Sequence, residues 1–278
     1  MKKFLAYILV LTLSLSMAAC STSQSAPETT EAAPVVVETT AVVETTEVVE
    51  ETRAPATWEL YDAAGMKKPM DVVIAAFQEK TGDTVNVNYS SSGALFTQIE
   101  QGQPCDLYFT ADWIYVEKME QANLAASSTK FLSDNISLVV SESAKEKVKT
   151  FEDLTKEDVT FTLCDPAAPV GVYAETGMKE MGLWKAAEAN VVSRPSTVNQ
   201  AAIMVIQDEV DAGLIFSSVA NANGLTPVEL MDQKYTGEII FGTVTVVGEN
   251  EAIANEFVEF ANEYVAEFEK YGWTAYAE

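Results

Sequence analysis

Four turns built of small residues stand between strand and helix signals in this chain. They are Asp62-Ala63-Ala64-Gly65, Ser90-Ser91-Ser92-Gly93, Pro166-Ala167-Ala168-Pro169-Val170-Gly171 and Ser196-Thr197-Val198. Each opens a helical segment, whose first turn leaves backbone N–H groups without an internal acceptor and carries about half a positive charge. Any one of them alone reads as Ser or Gly capping a helix. Several aimed at one point describe another chemistry, an oxyanion held by neutral donors without a formal cation. That matters here because residues 58–278 contain a single Arg, Arg194.

Other chemistries fail on residue type or order. The 278 residues include no His, which removes Ser-His-Asp and Cys-His catalysis and most zinc sites. Lys80-Thr81-Gly82, Ser127-x-x-Lys130 and Ser133-Asp134-Asn135 match the three signatures of penicillin-binding enzymes. In those enzymes the Lys-Thr-Gly element comes last. Here it comes first, and the other two lie only three positions apart, Lys130 to Ser133, so no acyl-serine site is expected. The chain reads as a non-enzyme. With 17 Lys+Arg against 42 Asp+Glu, the net charge of −25 argues against nucleic acid and against basic adhesion to an anionic membrane.

The elements that position the turns follow from periodicity. Trp58–Tyr61 reads as a strand, and Val73, Ile74 and Phe77 mark a helix over 69–80 that ends at Thr81-Gly82. Thr84–Tyr89 alternates with period two. A helix over 94–101, a strand over 107–110, a helix over 113–121 and a strand over 136–140 follow. The same alternation continues through 159–163, 172–181, 200–209 and 212–216, then a strand over 242–247 and a long helix over 252–270. This pattern predicts an α/β architecture with mainly parallel sheets, and ligand sites at the carboxyl ends of strands. For 221 residues, two lobes around a cleft are expected. The four Trp residues have apolar neighbours and read as core.

The first 57 residues differ. Met1-Lys2-Lys3, an apolar run from Phe4 to Leu15 and Ser16-Met17-Ala18-Ala19-Cys20 describe a secretory signal over 1–20. The run is shorter than the ~18–20 residues of a spanning helix. Ala18-Ala19-Cys20 resembles a bacterial lipobox, with Met17 where Leu is usual, which makes Cys20 the expected lipidation site. Residues 21–57 hold nine Thr and seven Glu among Val pairs, with one basic residue, Arg53, and read as a disordered stalk. The remainder is still acidic, with 35 acidic and 14 basic residues. Cys105 and Cys164 lie in apolar, strand-like runs. They read as buried free thiols, although a disulfide is open to them outside the cytoplasm.

The wording and order of the turns carry a resemblance. The stretch Ala63-Ala-Gly…Phe77…Asn88-Tyr-Ser-Ser-Ser-Gly-Ala-Leu…Gln98-Ile-Glu-Gln-Gly-Gln-Pro-Cys-Asp-Leu-Tyr-Phe-Thr-Ala-Asp112 resembles the molybdate-binding proteins of bacterial ABC importers. So do Cys164-Asp-Pro-Ala-Ala-Pro-Val-Gly-Val-Tyr-Ala174, Gly213-Leu-Ile-Phe-Ser217 and Tyr271-Gly-Trp-Thr274. The likeness spans essentially all of 58–278. It implies a type II periplasmic-binding-protein fold with lobe 1 formed by 58–138 and 240–278, lobe 2 by 139–239, and the ligand cleft between them. It implies a lipid-anchored, extracytoplasmic receptor, monomeric and without a cofactor. Such a receptor captures molybdate or tungstate and delivers it to a membrane permease and its ATPase.

Carried over by position, the ligand residues are Gly65, Ser92, Val170, Val198 and Phe216. Three departures stand out. Gly65 replaces a usual Ser and Phe216 a common Tyr, losing two hydroxyls, while Val219 replaces a frequent Asp. Each lost hydrogen bond to a charged ligand costs ~1.5–3 kcal/mol if uncompensated. Ser91 or Ser217 could supply a substitute donor, and Lys67 and Lys68 either recruit the anion or form a solvated face. The alternatives are a receptor for a different small oxyanion or neutral solute, and a sensory lipoprotein on the same scaffold.

Overall fold

The computed structural model describes residues 53–276. The expected signal, Cys20 and most of the expected stalk lie outside the described residues. The ordered chain begins ahead of Trp58. Arg53 grips Asp83 with two nitrogens at 2.7 and 2.6 Å and reaches Glu256 at 2.8 Å. Asp83 also accepts from Ala56 N–H and Trp58 Nε1. The stalk expected over 21–57 therefore gives up its last five residues to the fold, where Arg53 and Ala56 N–H join Trp58 in satisfying the buried Asp83 carboxylate.

Lobe 1 starts with β1 (Thr57–Ala63), a short 3-10 turn (Ala64–Met66) and α1 (Lys67–Thr81). It continues through β2 (Thr84–Ser90), α2 (Ser92–Glu100), β3 (Leu107–Thr110), α3 (Trp113–Gln121) and β4 (Ala125–Asp134). Val73, Ile74 and Phe77 turn the inner face of α1 to the core, and Gly82 ends it in the left-handed region at φ 76°. The Lys80-Thr81-Gly82 triplet is thus a helix end. Ser127 and Lys130 lie along β4, where Ser127 bonds Asn255 and Lys130 bonds Tyr276. No strand is expected from the sequence over 125–134, because its Ser, Thr and Lys residues mask the period. Pairing with β10 and β11 on either side makes it one.

The chain then enters lobe 2. Its elements are β5 (Ile136–Val140), β6 (Phe161–Leu163), α4 (Pro169–Glu180), α5 (Trp184–Ala187), β7 (Val191–Ser193), α6 (Val198–Ile206), β8 (Ala212–Phe216), α7 (Ser217–Ala222), β9 (Glu229–Leu230) and α8 (Gln233–Thr236). It returns to lobe 1 with β10 (Ile239–Val246), α9 (Glu251–Glu263), α10 (Val265–Glu269) and β11 (Thr274–Ala275). The long closing helix expected over 252–270 is broken at Tyr264, which leaves helical geometry at φ −99°, ψ 14°.

The lobe 1 sheet has the order β11-β4-β10-β3-β1-β2, and the lobe 2 sheet β7-β6-β8-β5-β9. Both are mixed, where mainly parallel sheets are expected from the sequence. β1 is parallel to β2 and β3, and β6 to β7 and β8, but β10 and β5 run antiparallel to their neighbours. The reason is connectivity. Strands joined through helices must run parallel, whereas β5 and β10 arrive from the other lobe without a crossover helix and are free to run the other way. The lobe change falls at Asn135, between β4 and β5, so the expected boundary at 138/139 moves ahead of a strand that pairs wholly with lobe 2.

Asp134 pins this joint. It is buried and accepts from the hydroxyls of Ser217, at 2.6 Å, and Ser218, and from Asn135 N–H at 2.7 Å. Burial nonetheless pushes its carboxyl up to about 6. Trp58 and Trp273 are buried among Phe77, Phe241, Phe257 and Phe268. Trp113 and Trp184 are only half-buried. Cys105 and Cys164 are free thiols; burial pushes both up, Cys164 to about 12.

Candidate functional site

The carboxyl ends of β1, β2 and β3 in lobe 1 face those of β6 and β8 in lobe 2, and one cavity lies between them. Lobe 1 lines it with Ala63, Ala64, Gly65, Ser90, Ser91, Ser92, Ala111 and Phe241; lobe 2 supplies Ala168, Pro169, Val170, Thr197, Val198 and Phe216. All five residues singled out from the sequence are on this surface. The centre of a water-sized sphere can move through ≈20 Å³ here. That space suits a small, compact solute and not a larger one.

Local sequence explains why helix starts meet here. Ser92 opens α2 directly after β2. Pro169 takes the first position of α4, where its missing N–H costs nothing, and Val170 follows. Thr197 caps α6 in a reciprocal box with Gln200, which leaves Val198 first in the helix. Gly65 sits in the 3-10 turn leading into α1. First-turn N–H groups have no acceptor in their own helix. Among the described residues, none of the turn or cap hydrogen bonds takes up the N–H of Gly65, Ser92, Val170 or Val198. Ser92 adds its hydroxyl, which accepts from Ala111 N–H at 3.0 Å and so keeps its proton to donate.

The cavity carries no formal charge: among the described residues no Asp, Glu, Lys or Arg lines it. Lys67 pairs with Asp71 at 2.8 Å, and Lys68 donates to the Ala222 carbonyl across the cleft. Asp62, one residue before the lining loop, is fully buried, and among the described residues neither of its oxygens finds a hydrogen-bond partner. Burial, reinforced by the neighbouring Asp71, holds its carboxyl well above the usual aspartate range.

The three departures have a structural account. A Cβ at Gly65 would meet Val219 Cγ2 at 3.0 Å and Val198 Cγ1 at 3.4 Å, so Gly65 and Val219 form one packing unit. Phe216 stacks at a tilt on Phe241, ring centroids 5.2 Å apart, and gives the cavity an apolar wall. Of the two substitute donors considered, Ser91 lines the cavity. Ser217 does not, because its hydroxyl is spent on Asp134. Sequence reasoning missed Phe241, which comes from the returning strand far from any turn motif, and Ala111, whose only signal is its place inside Thr110-Ala111-Asp112.

A small cavity between two α/β lobes, lined by helix starts from both, defines a receptor that encloses a solute. The chain belongs to the bacterial extracellular solute-binding protein family, whose model matches residues 59–274. It is 26% identical over 283 residues to a Bacillus subtilis (strain 168) protein named as an ABC transporter substrate-binding lipoprotein, YvgL, covering 99% of each chain. It is 24% identical to the molybdate-binding protein ModA of Escherichia coli (strain K12), over 77% of this chain and 88% of that one. The Azotobacter vinelandii periplasmic molybdate-binding protein superposes with a TM-score of 0.70 at 18% identity, covering 79% of this chain and all of the other, and shares its fold. The protein is thus an extracytoplasmic solute-binding component of an ABC importer and not an enzyme.

Proposed function

We propose that this receptor captures molybdate or its near-isostere tungstate and hands it to a membrane permease driven by an ATPase. One observation supports the reading: Gly65, Ser92, Val170 and Val198, each in the first turn of a helical segment, line one small cavity without a charged side chain. Neutral donors aimed before the ligand arrives hold charge without reorganising. The surrounding negative charge acts weakly at this point, since distant charges are screened beyond ~8–10 Å. Ser90, Ser91 and Ser92 offer hydroxyls that offset those lost at Gly65 and Phe216. Cys20 anchors the chain by lipid after signal removal, and the Thr/Glu-rich segment spaces a monomeric receptor from the membrane.

A second reading, a receptor for another small oxyanion, is favoured by the Phe216–Phe241 wall, which replaces a donor with an apolar surface. Calorimetric titration of the full chain with molybdate, tungstate, sulfate and phosphate separates the two. Tight binding of the first two alone supports the proposal. Tight binding of sulfate or phosphate instead supports the second reading. No heat with any of the four, from folded protein, overturns both.

A further inference from the structure

The cavity is held shut by groups that do not line it. Gly93 N–H, in α2 of lobe 1, donates to the Ala167 carbonyl of lobe 2 at 3.1 Å. The Tyr115 hydroxyl, in α3 of lobe 1, donates to the same carbonyl at 3.3 Å. In the opposite sense, the Tyr173 hydroxyl of α4 in lobe 2 donates to Asp112 Oδ1 of lobe 1 at 3.0 Å. Asp112 also caps α3 through Ile114 N–H, so its carboxylate is fixed whether or not Tyr173 is present. All three bonds cross the cleft. They exist only while the lobes are together, and in an opened molecule water would satisfy the same groups.

Gly93 explains why nothing larger stands at its position. Its backbone is helical and not in the left-handed region, so conformation alone does not demand glycine. Contact does. A Cβ there would lie 2.4 Å from Ala167 O and 2.6 Å from the Tyr115 hydroxyl. The Tyr115 hydroxyl, from the same lobe, is the far end of a side chain that can swing aside, whereas the Ala167 carbonyl closes in only when lobe 2 docks and belongs to a turn fixed by Ala168 N–H and Ala167 N–H bonding back to Asp165.

We infer that Gly93, Tyr115 and Tyr173 form a closure latch that sets how long the anion is retained, without touching it. They are positioning residues: they act on the ligand through the equilibrium between open and closed lobes. This rests on the proposed capture of a small oxyanion, and it separates retention from recognition. Substitutions in the latch change release and leave the encounter with the open form alone.

The test uses the full chain carrying fluorotryptophan, whose Trp113 resonance sits beside Asp112 and reports closed and open populations by fluorine NMR. Stopped-flow fluorescence with molybdate, tungstate, sulfate and phosphate in turn gives association and release rates. Tyr173→Phe and Tyr115→Phe are each expected to speed release by about tenfold at an unchanged association rate, and to raise the open population. Gly93→Ala is expected to abolish the closed form and weaken binding about a hundredfold or more, with an unchanged circular dichroism spectrum. If none of the four anions binds, the proposed function fails, and the open and closed populations of the ligand-free protein still test the latch. Tyr→Phe variants with wild-type release rates and populations overturn it. So does a wild-type chain with no closed form under any condition. If Gly93→Ala fails to fold, the two Tyr→Phe variants decide the matter.

Discussion

Restoring the hydroxyl at position 65 tests whether the departures of this cavity are coupled. Gly65→Ser adds a donor to the cavity, worth ~1.5–3 kcal/mol against a charged ligand if it is placed without strain. It also puts a Cβ at 3.0 Å from Val219 Cγ2 and 3.4 Å from Val198 Cγ1, tighter than ordinary packing. Val219 is fully buried, and overpacking of this kind costs ~1–3 kcal/mol. The two effects nearly cancel, so Gly65→Ser alone is expected to bind molybdate within about threefold of wild type and to melt at a lower temperature. Val219→Ala alone loses ~1.5–2.5 kcal/mol of stability through the methyls removed and the space left. In the double variant that space accepts the Ser side chain. Binding should then tighten at least tenfold, and the melting temperature should lie above the sum of the two single effects, a coupling of ~1–3 kcal/mol in a double-mutant cycle. Calorimetric titration and thermal unfolding of the four proteins measure both quantities. If Gly65→Ser alone gained the full tenfold without losing stability, the reasoning from the Val219 contact would be refuted.

Two further expectations concern carboxylates whose surroundings pull them in opposite directions. Asp62 is buried without a partner and held above the usual aspartate range, so between that range and its raised folded value the native state binds more protons than the unfolded one. Stability therefore falls as pH rises through this window, by up to ~1.4 kcal/mol per pH unit. Asp62→Asn should flatten that slope in melting curves taken from pH 5 to 9 and leave the variant more stable than wild type at the alkaline end. Asp83 is held below the usual range by Arg53, so its contribution is present above the ordinary aspartate value and is lost as pH falls through the depressed folded value. Arg53→Ala should cost ~1–3 kcal/mol near neutral pH, less under acid, as read by denaturant unfolding at each pH.

Much of the scaffold is legible because its signals are local. Val73, Ile74 and Phe77 with Gly82 mark α1 and its end, and Thr84–Tyr89 announces β2 by alternation alone. The helix-start turns are legible for the same reason, since a capping Ser or Thr and a Pro at the first position act on their immediate neighbours. What fails is non-local. β4 is a strand because β10 and β11 pair with it, not because of its own polar residues. The direction of β5 and β10 follows from which lobe the chain has just left, and no residue in them encodes that. Phe241 reaches the cavity only through the return of β10 to the centre of the lobe 1 sheet. Gly93 reads as a helix-start residue, and its second constraint appears only when the Ala167 carbonyl from the other lobe is set against it.

In the proposed capture the donors are main-chain N–H groups, and this bears on how such a receptor changes over time. A side-chain substitution cannot delete a peptide N–H, with proline as the one exception. Mutation therefore has little purchase on such capture itself, while the bordering residues Gly65, Phe216 and Phe241, with Val219 packed behind Gly65, stay free to vary. Selection on this scaffold can shift which anion is preferred one wall residue at a time, without passing through a sequence that holds none. A laboratory library confined to those four positions should give variants that differ in preference far more often than variants that are inert.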